Sequence, residues 1–501
     1  MSGVELGLAI FGTLDICLRY GKIIIEKYKA FNDAENEIEE RKLAIEATWV
    51  KISEQLTFLK RVWGSLSENH QDYQDLQSRI VLVLQRKLEA AALQISRLET
   101  RAARSGSGPL SKRKAAKYAL RVKESLEEAI QGLQVWQKEF DPTWYLVLRV
   151  VDNTTIDSEL VECPGTESLS VARKVRDSLM PEPQRATSVF LSESKLKSAT
   201  RSDIRHSTSQ LIEIADSGTF ILDSADCSSR KDASTFAKHV RHLVARLQQV
   251  DANAFHLLKC HGVVRTKDPN TKQILSFDFI FNIPTGCSRP RSLRSHLLSQ
   301  EDCTLGDKMN LAKQLAMSIN YIHVLDFVHK NVRPETVLIF QGNGQSSQLG
   351  PLFLLGFKAF RMADSKTQRL GNSAWEEDIY QHPDRQGINP DADYIMQHDI
   401  YSLGVCLLEI GLWESFVDSQ SQTYLSMENG LLKDQYTALA KEKLPIRMGE
   451  KYTQVVVNCL SCIDTTNEDF GDESEFEDND GILIGVKYIK KILLQLSEIS
   501  V

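Results

Sequence analysis

Apolar residues recur at helical spacing through the first 150 positions of this chain and then cease to. Ile38, Ile45, Trp49, Ile52, Leu56, Leu59 and Trp63 fall three, four or seven residues apart. That spacing puts them on one face of a helix. Ile80, Leu84, Leu88, Ala91, Ile95 and Leu98 form a second stripe, and Tyr118, Val122, Leu126, Ala129, Leu133, Trp136 and Phe140 a third. Together with a helix over residues 4–29, they predict four amphipathic helices with short connections, which is a helical bundle. Ser105-Gly106-Ser107-Gly108-Pro109 predicts a turn or loop between the second and third stripes, and Asp141-Pro142 predicts the end of the last helix.

Residues 165–205 lose this periodicity. Met180-Pro181-Glu182-Pro183 and a run rich in Ser, Thr, Lys and Arg predict mostly linker, with one brace helix over 168–179. From residue 206 the pattern becomes strand-like. Leu211–Ile214 and residues 219–222 predict two strands around a turn at Asp216-Ser217-Gly218. A helix follows over 233–249, then strands over 262–265 and 274–281; after residue 305 helices dominate. The expected architecture is multidomain: an all-α bundle over residues 1–165, a linker or brace over 166–205, and an α+β domain over 206–501.

Composition narrows the class. The chain has 501 residues, 42% hydrophobic and 25% charged, as in ordinary globular proteins. The net charge is −7, and residues 468–480 alone hold eight acids. The rest is near neutral, so nothing points to nucleic acid. Nine scattered cysteines argue against a disulfide framework and fit a reducing cytosol. Cys459 and Cys462 form a lone C-x-x-C pair with no second pair at zinc spacing, and read as small apolar residues on a helix. Asn153-Thr154-Thr155 matches a glycosylation sequon, which matters only in a secreted protein. The N-terminal apolar run shows no signal-peptide pattern. Asp15, Arg19 and Lys22 interrupt it, which argues against a constitutive membrane span.

The segment from Tyr321 to Ile339 carries the most information. Its centre, His329-Lys330-Asn331-Val332-Arg333-Pro334-Glu335-Thr336, resembles the catalytic loop of protein kinases, which reads H-R-D-L-K-P-E-N. Tyr380-Gln381-His382-Pro383-Asp384 resembles the A-P-E end of their activation segment, and Asp399-Ile400-Tyr401-Ser402-Leu403-Gly404 their D-x-W-S-x-G helix. The three motifs stand in kinase order. The resemblance covers residues 206–500 and implies a two-lobed protein-kinase-like domain.

The chemistry of phosphoryl transfer is missing from the matching positions. It depends on positioning and charge neutralisation. Asn331 stands at the catalytic Asp, Thr336 at the loop Asn that holds magnesium, and Leu354, ahead of Gly356, at the metal-binding Asp. Leucine offers a hard cation no oxygen. No Lys lies between Leu211 and Ser229, the only glycine there is Gly218, and residues 233–249 hold no Glu. Such a site could not neutralise transition-state charge. The resemblance therefore implies a pseudokinase, with no catalytic residues and no cofactor. His329, Arg333, Pro334, Gly356, Asp384, Asp399 and Gly404 remain at positions whose role would be structural.

The opening run Val4-Glu5-Leu6-Gly7-Leu8-Ala9-Ile10-Phe11-Gly12-Thr13-Leu14-Asp15-Ile16-Cys17-Leu18, followed by Trp-bearing helices, resembles the HeLo (prion-inhibition and propagation) domain of filamentous fungi. No amyloid-forming repeat is seen at the C-terminus, which departs from the prion-type members. The resemblance implies a module of fungal heterokaryon incompatibility and programmed cell death, cytoplasmic or peripheral at the plasma membrane. Its partners would be proteins, an anionic membrane, and further copies of itself on activation. Gly7, Phe11 and Gly12 would then meet lipid. So would Lys112, Arg113 and Lys114, in a basic run from Arg101 to Lys123. Basic residues near an anionic leaflet are worth about 1 kcal/mol each.

Three readings stay open: a membrane-active effector under pseudokinase control, a cytosolic scaffold whose apolar N-terminus only fills a core, and an atypical kinase. The acidic run reads as a solvated loop or as a decoy for the basic run.

Overall fold

The helical stripes of the first 150 residues are realised as long rods. In the computed structural model they are α1 (Gly3–Lys29), α2 (Asn36–Val62), α3 (Gln71–Arg104) and α4 (Lys112–Val150), followed by α5 (Asn153–Glu162). The structure describes residues 3–29, 36–66, 71–104, 112–151, 153–162, 167–179, 189–215, 217–227, 233–299, 301–342, 349–362, 374–386, 393–417, 429–467, 469–470 and 482–499. The expected turn at 105–109 and nearly all of the acidic run lie outside them. The chain divides into two compact units, Met1–Arg173 and Lys174–Val501.

In the first unit, α1 and α4 each pack against both α2 and α3. Ile10, Leu14, Cys17, Ile24, Ile25 and Tyr28 turn one face of α1 inward. Gly21 lets α1 and α2 touch: a Cβ built there would lie 2.0 Å from the Trp49 ring. Buried polar atoms are used across helices. The Tyr28 hydroxyl donates to the Ser125 carbonyl at 3.0 Å, and Trp136 Nε1 to the Ile80 carbonyl at 2.8 Å.

The expected helix end at Asp141-Pro142 is corrected: α4 runs on to Val150, with Pro142 inside it. Proline removes one amide donor and crowds the preceding turn. Tertiary packing overrides that cost here. Trp144, Leu146, Val147 and Leu148 are buried beyond the proline, and Trp144 packs edge-on against Phe58 at 5.1 Å. The Asp141 carboxylate accepts from Gln55 at 2.9 Å and from Lys51 at 3.1 Å, tying this part of α4 to α2. The brace helix appears as α6 (Glu167–Leu179), within which the division between units falls.

The second unit begins with β1 (Phe190–Leu191), α7 (Ser194–Lys197) and β2 (Thr200–Asp203), in a stretch read from the sequence as linker. That reading is corrected. Leu191, Leu196 and Ala199 pack with Ile212, Ile214, Phe220, Leu222, Val264 and Ile280. Three apolar anchors in a polar run are too sparse to show a period. The strands β3 (Gln210–Ile214), β4 (Gly218–Asp226), β5 (Cys260–Lys267) and β6 (Ile274–Asn282) complete a six-stranded sheet of order β1-β5-β6-β4-β3-β2. β1 is parallel to β5 and the other pairings are antiparallel. The hairpin read from the sequence, β3–β4, therefore lies inside the sheet, with β2 outside it. Helix α8 (Ala233–Leu247) packs on β5, and α9 (Ala252–Phe255) precedes that strand.

A helical part follows. It contains β7 (Cys287–Ser292), α10 (Leu293–Leu298), α11 (Leu305–Val324), β8 (Phe327–Val328), a 3-10 turn at Pro334–Thr336, β9 (Val337–Gly342), β10 (Leu352–Leu354) and β11 (Arg361–Met362). Then come α12 (Trp375–Asp378), α13 (Met396–Leu412), α14 (Asn429–Met448), α15 (Glu450–Leu460), α16 (Ile482–Tyr488) and α17 (Leu494–Ser497). Helix α13 is buried along its whole length and packs on α11, α14 and α15. Gly404 sets its approach to α15, since a Cβ there would meet Cys459 Cβ at 2.7 Å. The first unit is thus helical and the second mixed α/β.

Candidate functional site

Most of the residues singled out in the second unit converge on one buried turn, Asp384 and Gly404 excepted. Phe327–Val328 enters it, residues 329–336 cross it, and residues 354–357 return beneath. The Asp399 carboxylate, at the start of α13, is fully buried. It accepts the backbone amides of His329 at 2.7 Å and Lys330 at 2.9 Å, the Tyr394 hydroxyl at 2.7 Å, and lies 3.1 Å from His323 Nε2. Burial opposes its charge, but these donors win and hold its carboxyl below the usual range. The His329 ring is buried against Phe357 at 5.1 Å, and burial pushes its pKa down to about 4, so it is neutral at pH 7.

Both ends of the Asn331 carboxamide are engaged by neighbouring groups. Its Nδ2 donates to the Gly356 carbonyl at 2.9 Å, and its Oδ1 accepts from Arg333 Nε at 3.0 Å. Arg333 also pairs with Glu377 at 3.0 Å. Thr336 turns its hydroxyl onto its own turn, donating toward the Asn331 and Arg333 carbonyls at 3.0 and 2.8 Å. Pro334 opens that turn. Leu354 is wholly buried on β10, with its amide bonded to the His256 carbonyl. Gly356 has φ +87°, and a Cβ there would strike Thr336 at 2.3 Å, so glycine is required.

A residue the sequence reading passed over completes the turn. Asp223, in the middle of β4, is buried, and its Oδ2 accepts the amides of Gly356 at 3.1 Å and Phe357 at 2.8 Å. Ser209 donates to its Oδ1 at 3.4 Å. Burial raises its carboxyl to about 6 against the pull of those amides, the Ser209 hydroxyl and the Lys358 ammonium. A lone acid within the apolar run Thr219-Phe220-Ile221-Leu222-Asp223 was the available signal.

Asp384, expected to brace the fold, is half exposed and lies 3.4 Å from His382. The buried ion network lies elsewhere. Arg294 on α10 binds Glu409 at 2.8 Å, Glu335 at 2.9 Å and Ser415 at 2.6 Å, and also contacts the Tyr380 hydroxyl, which donates to Glu409 at 2.9 Å. Cys459 and Cys462 are both buried, and the Cys462 thiol reaches the Gln397 carbonyl at 3.2 Å. Among the described residues, no cluster of three or more His, Cys, Asp or Glu is placed to hold a metal ion.

In the first unit, Phe11 is half-buried and Gly12 is exposed; a Cβ added at Gly12 would meet nothing within 4 Å. Gly7 lies on α1, and Lys112, Arg113 and Lys114 open α4; their side chains are outside the described residues. Among the described residues no helix is long and apolar enough to cross a membrane.

No family model matches the chain, and no curated protein matches it.

Proposed function

We propose that the chain is a non-catalytic signalling regulator, in which a pseudokinase controls a HeLo-like helical effector of the fungal incompatibility and cell-death type. The observation that carries the non-catalytic part is the state of Asn331. It is an amide where a carboxylate base would be needed, and both ends of it are bound to neighbouring groups. Thr336 and Leu354 add no ligand for magnesium. A kinase-like arrangement is supported by five antiparallel strands in the order β5-β6-β4-β3-β2, one helix packed on them, and a helical part built on α13. The grip of Asp399 on the His329 and Lys330 amides supports it further.

The effector part rests on the resemblance of residues 4–18. Full-length protein and the compact unit Met1–Arg173 should be compared for dye release from anionic liposomes, each with and without Gly12→Asp. Gly12 is exposed, so the aspartate leaves the bundle intact. Release by the short unit, lost with aspartate and muted in the full chain, supports the effector reading. Absence of both release and liposome binding supports the scaffold reading instead. That reading draws on the burial of Ile10, Leu14, Cys17, Ile24, Ile25 and Tyr28 on α1. Magnesium- and ATP-dependent transfer of phosphate by the purified chain would exclude both in favour of an atypical kinase.

A further inference from the structure

We propose that the groove between the six-stranded sheet and the turn of residues 331–336 is filled by the chain's own residues, Asp223 and the loop of residues 204–209, and is latched shut against nucleoside polyphosphates. The proposal rests on the pseudokinase reading above and says how that site is regulated.

Three independent contacts make the latch. The first is Asp223. Two successive amides, at Gly356 and Phe357, point at one carboxylate oxygen, and Gly356 has the left-handed φ common in backbone anion nests. A nest of this kind accepts phosphate or carboxylate oxygens equally well; here it holds a side chain supplied by β4. A polyphosphate entering would meet a buried negative charge and find the nest taken.

The second contact is the β2–β3 loop, Ile204-Arg205-His206-Ser207-Thr208-Ser209. It contains no glycine, and Ile204 is buried. Rather than arching over a space, it lies on the helical part. The Arg205 carbonyl accepts the Ser292 hydroxyl at 2.9 Å and the Ser295 hydroxyl at 2.6 Å. The third is Glu335, whose carbonyl accepts the Ser207 hydroxyl at 3.1 Å and the Thr208 amide at 3.3 Å. Ser209 then joins loop to latch through its bond to Asp223. A nucleotide would have to displace two hydrogen bonds at each of Arg205, Glu335 and Asp223. The groups that could repay it, Asn331 and Thr336, are already engaged.

The test uses the full chain. Its melting temperature at pH 7.5 is measured with millimolar ATP, ADP and GTP, with and without magnesium, alongside amide exchange over residues 204–209 and 354–360. The expected result is a shift below about 1 °C with every nucleotide, and slow exchange in both segments. Asp223→Asn keeps the side chain's shape and removes its charge; exchange at 354–360 should then quicken by at least about tenfold, the weight of hydrogen bonds to a charged group. If that variant fails to fold, the pair Ser292→Ala and Ser295→Ala leaves Asp223 in place and should quicken exchange at 204–209. A saturating rise of several degrees with any nucleotide would overturn the proposal, as would variants whose exchange matches the parent. Nucleotide binding without phosphate transfer sinks the latch alone, whereas transfer sinks the non-catalytic reading with it.

Discussion

Asp399 holds His329 by the backbone: its carboxylate accepts the His329 amide at 2.7 Å. The neighbouring Lys330 is bound in the same way and sits at φ +64°, a left-handed conformation rare for a lysine. One buried carboxylate thus fixes the path of the whole 329–336 turn. Asp399→Asn keeps the volume but turns one of the two oxygens, each of which accepts one backbone amide, into an NH2 donor facing that amide. The expected loss is on the order of 2–4 kcal/mol, read as a lower urea midpoint for the second unit. Because its carboxyl is depressed in the folded chain, this contribution is present above about pH 4 and lost as the solution becomes more acidic.

Two of the glycines on α1, Gly21 and Gly12, should respond oppositely to alanine. At Gly21 a methyl would collide with the Trp49 ring, so Gly21→Ala is expected to separate α1 from α2 and cost about 1–3 kcal/mol. At Gly12 nothing lies within 4 Å, and Gly12→Ala should raise helix stability by up to about 1 kcal/mol. Thermal unfolding of the Met1–Arg173 unit separates the two cases.

Removing Arg294 would strand Glu409, which is fully buried and whose carboxyl is already raised by burial. Arg294→Met should therefore cost about 3–5 kcal/mol. The double variant Arg294→Met with Glu409→Leu should recover part of that loss, because it removes the stranded Glu409 charge, while Glu335 loses its 2.9 Å partner and keeps only the longer approach of Arg333 at 3.9 Å. Urea unfolding of the single and double variants measures the difference.

Mild acid should weaken the second unit. Burial pushes His329 and His296 down to about 4 and His398 to about 3. Each folded value lies below the unfolded imidazole value near 6.5. Their contribution is complete above about pH 6.5 and fades as pH falls toward 4. Asp223 acts the other way: raised to about 6, it favours folding at low pH and loses that contribution as pH rises through 6. The charge facing Asp223 is Lys358, which is paired in turn with Glu377. Three imidazoles outweigh one carboxyl, so urea midpoints at pH 7.5, 6.0 and 5.0 should fall in that order.

Much of the fold was legible because burial leaves a period in the sequence. The stripes through Trp49, Leu84 and Trp136 each became a helix, and the apolar runs at 211–214, 219–222 and 274–281 became strands. Pro142 misled because its cost is local, whereas the packing of Trp144 that outweighs it comes from α2. β1 and β2 were missed because their anchors are few and the rest of the stretch is polar. At the site, losses could be read from single positions such as Asn331 and Leu354. What replaced them could not. Asp223 gained its role by facing Gly356, 133 residues away, and nothing in the order of residues records that meeting.

β2 is one margin of the six-stranded sheet, and all four of its residues, Thr200, Arg201, Ser202 and Asp203, are exposed. β1, the other margin, is only two residues long. A bare strand margin invites another chain to add on, and shortness and charge discourage it. Arg201 and Asp203 would be carried into any such pairing, and β1 offers too little backbone to hold one. The sheet is therefore guarded against fibrillar growth, and copies crowded together would leave each other's strands alone.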